Sequence, residues 1–157
     1  MTISTIMTAQ VGSCGPETNL GSVVETMWTR DCGIVPVVNE GNEVIGVVTD
    51  RDICIALGTR DATASSLVAR SVMTTPVVGC APDDDCVDVL LTMSERHVRR
   101  LPVLGPNGVL LGIVSIDDIV RRAARAPATD PLRHVTLQVL AGVDTPVRPL
   151  QAMAVGA

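Results

Sequence analysis

Lysine, phenylalanine and tyrosine are absent from this chain of 157 residues, and Trp28 is its only aromatic side chain. Its twelve Lys-or-Arg positions are all Arg. Without Lys there is no ammonium for a Walker-type phosphate loop, a Schiff base or a Lys general base. Without rings, single-stranded nucleic acid loses the stacking contacts worth about 1–3 kcal/mol per base. A net charge of -5 disfavours duplex binding as well, so nucleic acid is not expected as a partner. The basic cluster Arg121, Arg122 and Arg125 reads instead as the C-terminal end of a helix, where the dipole favours cations.

Long apolar runs are missing too. No stretch of 18 apolar residues occurs, and no charged leader precedes an apolar segment, so the expectation is a soluble cytoplasmic protein that does not enter a membrane. Five cysteines, at 14, 32, 54, 80 and 86, form no CxxC pair. In a reducing compartment they read as small core residues, and their spacing supports no zinc site with His97 or His134.

What the chain does contain is a duplication. Gly46-Val47-Val48-Thr49-Asp50-Arg51-Asp52-Ile53 returns sixty-six residues later as Gly112-Ile113-Val114-Ser115-Ile116-Asp117-Asp118-Ile119. The same offset pairs Met7 with Met73, Thr8 with Thr74, Cys14 with Cys80, Pro16 with Pro82, Met27 with Met93 and Pro36 with Pro102. Such an internal repeat is the first signal of architecture to look for. A chain of this length buries roughly 70% of its unfolded surface, whereas one repeat of about 60 residues is marginal alone. The halves are therefore expected to share a core of Val, Leu, Ile, Ala and Met.

Each repeat reads as strand, helix, strand, strand, helix. Val11 to Cys14 suggests a short strand, and Pro16-Glu17-Thr18 a helix start with Pro near its first position. Leu20, Val23, Val24 and Met27 then mark one helical face, as Cys86, Val89, Leu90 and Met93 do after Pro82-Asp83-Asp84-Asp85. The run of three Asp suits a helix N-terminus and needs no metal. Residues 34–38 and 44–48 flank an Asn/Gly turn, as 101–104 and 109–114 flank Gly105-Pro106-Asn107-Gly108, which is a hairpin signal. Helices are expected over 50–57 and 116–125, one helical turn within 67–73, and a final helix over 131–141, capped by Thr129-Asp130-Pro131 and stopped by Gly142. Disorder is expected from Val143 to Ala157. The organisation is thus repeat 1 over 1–60, linker and repeat 2 over 61–126, and a C-terminal helix and tail over 127–157.

Over residues 3 to 125, these elements, their order, the duplication and the terminal hydroxyl-x-x-Asp resemble the cystathionine beta-synthase (CBS) domain pair, or Bateman module. The resemblance implies an α+β fold of two β-α-β-β-α repeats packed by a pseudo-twofold, with two clefts between them and homodimers as the common assembly. It also implies a non-catalytic module that senses adenine nucleotides (AMP, ADP, ATP) or S-adenosylmethionine and modulates a separate protein, with no cofactor required. One cleft would combine Thr49, Arg51 and Asp52 with Thr74, Val77 and the segment Val98, Arg99, Arg100. The other would combine Ile113, Ser115 and Asp118 with Thr8, Val11 and the segment Cys32, Gly33, Ile34.

Chemistry supports those assignments: a carboxylate offers two acceptors to a ribose diol, and Arg offers a fork of donors to phosphate. The first cleft, with Arg51, Arg99 and Arg100, is expected to prefer a phosphorylated ligand. The second, with Asp117 beside Asp118 and no Arg in its motif, is expected to be weaker for phosphates or empty. Two alternatives stay open. Hydroxyl-x-x-Asp at a helix start also resembles a cap, and the fold could serve as a dimerisation scaffold with nothing bound. Catalysis lacks a nucleophile-base pair, a metal cluster or a partnered histidine.

Overall fold

The computed structural model describes residues 1–143. Among these residues four strands and five helices appear in the order α1 (Leu20–Arg30), β1 (Ile34–Val38), β2 (Val44–Thr49), α2 (Asp50–Thr59), α3 (Cys86–Glu95), β3 (Arg100–Leu104), β4 (Leu110–Ser115), α4 (Ile116–Ala124) and α5 (Pro131–Val143). Short 3-10 turns at Ile3–Thr5 and Ala69–Ser71 open the two repeats at equivalent positions. This is the α+β architecture expected, with one qualification: the predicted strand at 11–14 is reduced to one parallel bridge between Cys14 and Val37. Its repeat-2 counterpart is the bridge between Cys80 and Val103.

The helices begin later than the prolines suggest. Thr18 N donates to Gly15 O at 3.1 Å and Gly15 N to Thr18 Oγ1 at 3.1 Å, closing a turn that holds Pro16 outside the helix. Asn19 then caps α1 by accepting from Ser22 N at 3.0 Å. In repeat 2 the Asp84 carboxylate closes the same turn on Ala81 N at 2.8 Å, and Asp85 caps α3 by accepting from Val87 N at 2.9 Å. A polar side chain that ties down its own turn outcompetes a proline at N1 as the start signal. Cys86, Val89, Leu90 and Met93 of α3 form the buried apolar face expected, and Leu20, Val23 and Met27 of α1 do likewise, but Val24, expected on the same face, is exposed.

Each hairpin is antiparallel, β1 with β2 and β3 with β4, and each carries an irregularity one residue before its turn, at 37/38 and 103/104. What joins the halves is an exchange of their lead segments. Thr8 N donates to Ile113 O at 2.9 Å and Ile113 N to Thr8 O at 3.0 Å, so the start of repeat 1 lies along β4. Thr74 pairs in the same way with Val47 of β2. Ile3 is fully buried in the core of repeat 2, and its counterpart Ala69 in the core of repeat 1. Burying each lead residue in the other repeat makes one folding unit from two marginal ones.

Helix α5 packs on α3 and α4, with Leu132 and Val139 buried in the repeat-2 core and Val135 and Leu140 against it. Asp130 accepts from Leu132 N at 2.9 Å, as its capping position predicts. Gly142 does not stop the helix at 141; it runs to Val143, the last described residue. The disorder expected over 143–157 therefore falls almost wholly outside the described residues.

Candidate functional site

Strands β2 and β4 each end in a hydroxyl that caps the next helix. Thr49 Oγ1 accepts from Asp52 N at 3.2 Å and donates to Asp52 Oδ2 at 2.7 Å, while Thr49 N donates to the same oxygen at 2.9 Å. Ser115 and Asp118 repeat this arrangement at 3.2, 2.6 and 2.9 Å. Both motifs are thus reciprocal capping boxes, with Asp in the place more often taken by Glu or Gln. The cap uses only one oxygen of each carboxylate. Asp52 Oδ1 accepts no hydrogen bond among the described residues, whereas Asp118 Oδ1 accepts from Arg121 Nη2 at 2.5 Å. The repeats have copied the cap and left different carboxylates behind it.

Beside each box lies a cleft built from both repeats. The first, of about 580 Å³, gathers Thr49, Arg51 and Asp52 with Thr74, Val98, Arg99 and Arg100, as the sequence predicts. Val77 does not line it; its neighbours Pro76 and Val78 do. The second, of about 480 Å³, gathers Ile113, Ser115 and Asp118 with Thr8, Val11, Cys32 and Ile34. Gly33, expected there, lines the first cleft instead. A β-carbon built on it would lie 2.9 Å from Asp50 Oδ2 and 3.7 Å from an Nη atom of Arg100, so a side chain would enter that cleft.

Three cations went unrecognised in the sequence. Arg30 at the end of α1 lines the second cleft, and Arg96, its identical counterpart at the end of α3, lines the first. Their identity under the repeat offset was the signal that could have found them. Arg121 also reaches the second cleft from α4, one turn beyond its motif. The expectation of an Arg-poor second cleft therefore fails: Arg30, Arg100 and Arg121 line it, opposed by Asp31, Asp117 and Asp118. Among the described residues the first cleft carries Arg51, Arg96, Arg99 and Arg100 against Asp50 and Asp52, with His97 beside them. One cleft is rich in positive charge, the other balanced.

Burial pushes the Cys14 thiol up to about 11 and the Cys80 thiol to about 12, so both remain neutral packing groups at neutral pH. Among the described residues no group of three or more His, Cys, Asp or Glu side chains converges as a metal site. No described helix is long and apolar enough to cross a membrane.

The CBS domain family model matches residues 3–59 and again 69–125. An uncharacterized protein of Methanopyrus kandleri is 34% identical over 95 residues, covering 60% of this chain, which spans about half (48%) of that relative's length. The CBS domain-containing protein YhcV of Bacillus subtilis is 29% identical over 133 residues, 84% of this chain and 93% of that protein. Among solved structures, the CBS domain pair of protein MJ0100 in complex with 5'-methylthioadenosine and S-adenosyl-L-methionine superposes with a TM-score of 0.72. It shares 21% identity and covers 79% of this chain and 96% of its own.

Proposed function

The chain belongs to the CBS-domain family, and from that premise we propose a non-catalytic sensor whose clefts take adenine nucleotides or adenosyl ligands and whose occupancy adjusts a separate protein. One observation carries the reading. In the first cleft, Asp52 keeps a carboxylate oxygen that its cap does not use, and Arg96, Arg99 and Arg100 line the same cavity. A ribose diol would donate to Asp52, and phosphate oxygens would accept from the guanidiniums. Adenine would lie among the aliphatic groups of Ile34, Val47 and Val78, its edge read by backbone groups. The adenosyl compounds bound by the CBS pair of MJ0100 support this class of ligand.

The two charge inventories sort the ligands further. The first cleft favours phosphorylated nucleotides, while the second suits a ligand of little net charge such as S-adenosylmethionine, whose sulfonium and ammonium outweigh its carboxylate by one. A second reading, a dimerisation scaffold with nothing bound, draws on one feature: Trp28 stands 87% exposed on α1, beside the exposed Val24 one helical turn away.

Thermal melts against AMP, ADP, ATP, NAD and S-adenosylmethionine, with a guanine nucleotide as control, separate the readings. A ligand at a hundred times its Kd adds about 2.7 kcal/mol, which raises the midpoint by roughly 5–10 °C. Asp52→Asn keeps an acceptor for the Thr49 cap and removes the charge, so it should weaken nucleotide binding about tenfold or more with an unchanged melt of the free protein. Flat melts across the panel, with a dimer by sizing, favour the scaffold.

A further inference from the structure

Arg100 belongs to both clefts. It is the exposed first residue of β3, lining the first cleft beside Arg99 and the second beside Arg30 and Arg121. Its guanidinium lies over Gly33, in the stretch of backbone that runs between the cavities. No ion pair within 4.0 Å holds it among the described residues. The residue at the equivalent place in repeat 1 is Ile34, which also lines both cavities. Position 34 and position 100 pair in the same register with the capping hydroxyls, Ile34 with Thr49 and Arg100 with Ser115. The partition between two related clefts thus carries one guanidinium where a symmetric pair would carry two or none.

We infer that Arg100 couples the clefts, so that a ligand drawing it into one changes the charge the other presents; the inference rests on the ligand-sensing reading above. A phosphorylated ligand in the first cleft recruits Arg100. The second cleft is then left with Arg30 and Arg121 against Asp31, Asp117 and Asp118, an excess of one carboxylate. That excess repels a second phosphate and attracts a cationic group. The sign of the coupling is therefore set by the second ligand: negative for a nucleotide, positive for an adenosyl compound bearing a sulfonium and an ammonium. A cleft pair with separate cations would show neither.

The test is calorimetric titration of the full chain, preloaded or not with one equivalent of ATP, using S-adenosylmethionine and, separately, AMP. Losing or gaining one charge-assisted contact corresponds to about tenfold in affinity. ATP should tighten S-adenosylmethionine and weaken AMP by about that factor, and each should change the ATP affinity reciprocally by the same amount. Arg100→Ile, which copies the repeat-1 residue, and Arg100→Gln should abolish both changes; because the side chain is exposed, their melts should match that of the parent. Two clefts that bind with affinities indifferent to ATP would overturn the coupling and leave the sensor reading standing. Simple displacement by ATP that persists in Arg100→Ile would overturn it as well. No binding of any of the three ligands would remove the sensor reading and the coupling together.

Discussion

Val24 and Leu90 hold the same position in the two repeats, on the same face of α1 and α3. Leu90 is fully buried in a core that includes Leu132 and Val139 of α5, while Val24 is 42% exposed. Helix α5 covers the helical face of repeat 2, and among the described residues nothing equivalent packs on repeat 1. Duplication reproduced the helices, hairpins and capping boxes, because these depend on local spacing. It did not reproduce burial, because burial depends on what else the chain brings to each face. The clefts differ for the same reason: Arg121 turns back on Asp118, and no described residue does so at Asp52.

The widest gap between the halves should appear when those two side chains are cut back. Leu90→Ala is expected to cost about 3 kcal/mol, a fall in midpoint of roughly 6–12 °C, whereas Val24→Ala should cost under about 0.5 kcal/mol. Equal losses would mean that another surface covers the repeat-1 face in solution.

A narrower gap is expected at the two buried glycines where the lead segments cross. A β-carbon on Gly112 would sit 2.5 Å from the Thr8 carbonyl oxygen and 3.2 Å from Ala9 Cα, both backbone. On Gly46 it would meet the Met73 side chain, whose sulfur and Cγ can rotate away and whose Cβ, at 3.1 Å, needs only a slight shift. Gly112→Ala should therefore cost about 2–3 kcal/mol and Gly46→Ala about 1 kcal/mol, by denaturant titration. If the order were reversed, the lead segment of repeat 1 would have to be the more yielding of the two.

The smallest difference lies in the caps. Asn19 caps α1 and cannot titrate, while Asp85 caps α3. The amino terminus, hydrogen-bonded to Asp85, holds its carboxyl below the ordinary carboxylate value, with the Val87 amide adding to the effect. A depressed folded-state value means the contribution is complete above the unfolded value near 3.8 and is lost as pH falls through the folded one. Solvent screens this exposed pair, so Asp85→Asn should flatten the acid limb of the melting midpoint by only about 1–2 °C. An acid limb that steepened in Asp85→Asn would contradict this sign.

Much of the lining of the two candidate clefts is legible in the sequence. Thr49 and Asp52, Ser115 and Asp118 stood out because capping spacing and the repeat offset both mark them, and the family resemblance paired each with the lead segment of the other repeat. The helix starts were misread at Pro16 and Pro82, since a side-chain bond from Thr18 or Asp84 decides where the turn ends. Val77 and Gly33 escape the sequence reading because, in segments outside the strands, which neighbour faces a cavity is set by the local course of the backbone and not by spacing. Arg30 and Arg96 were visible as an identical pair, yet only their arrival at a cavity wall gives that identity a use.

The sequence by itself determined the duplication, the hairpins, the amphipathic helices and the two capping boxes, all set by periodicity and contacts a few residues apart. Only the tertiary structure decided that Ile3 and Ala69 enter each other's cores, that α5 packs on repeat 2, and that Arg100 stands between two cavities. Those outcomes depend on which surfaces meet across more than sixty residues of chain. Long-range packing selects among locally equivalent partners, so two nearly equal halves became unequal.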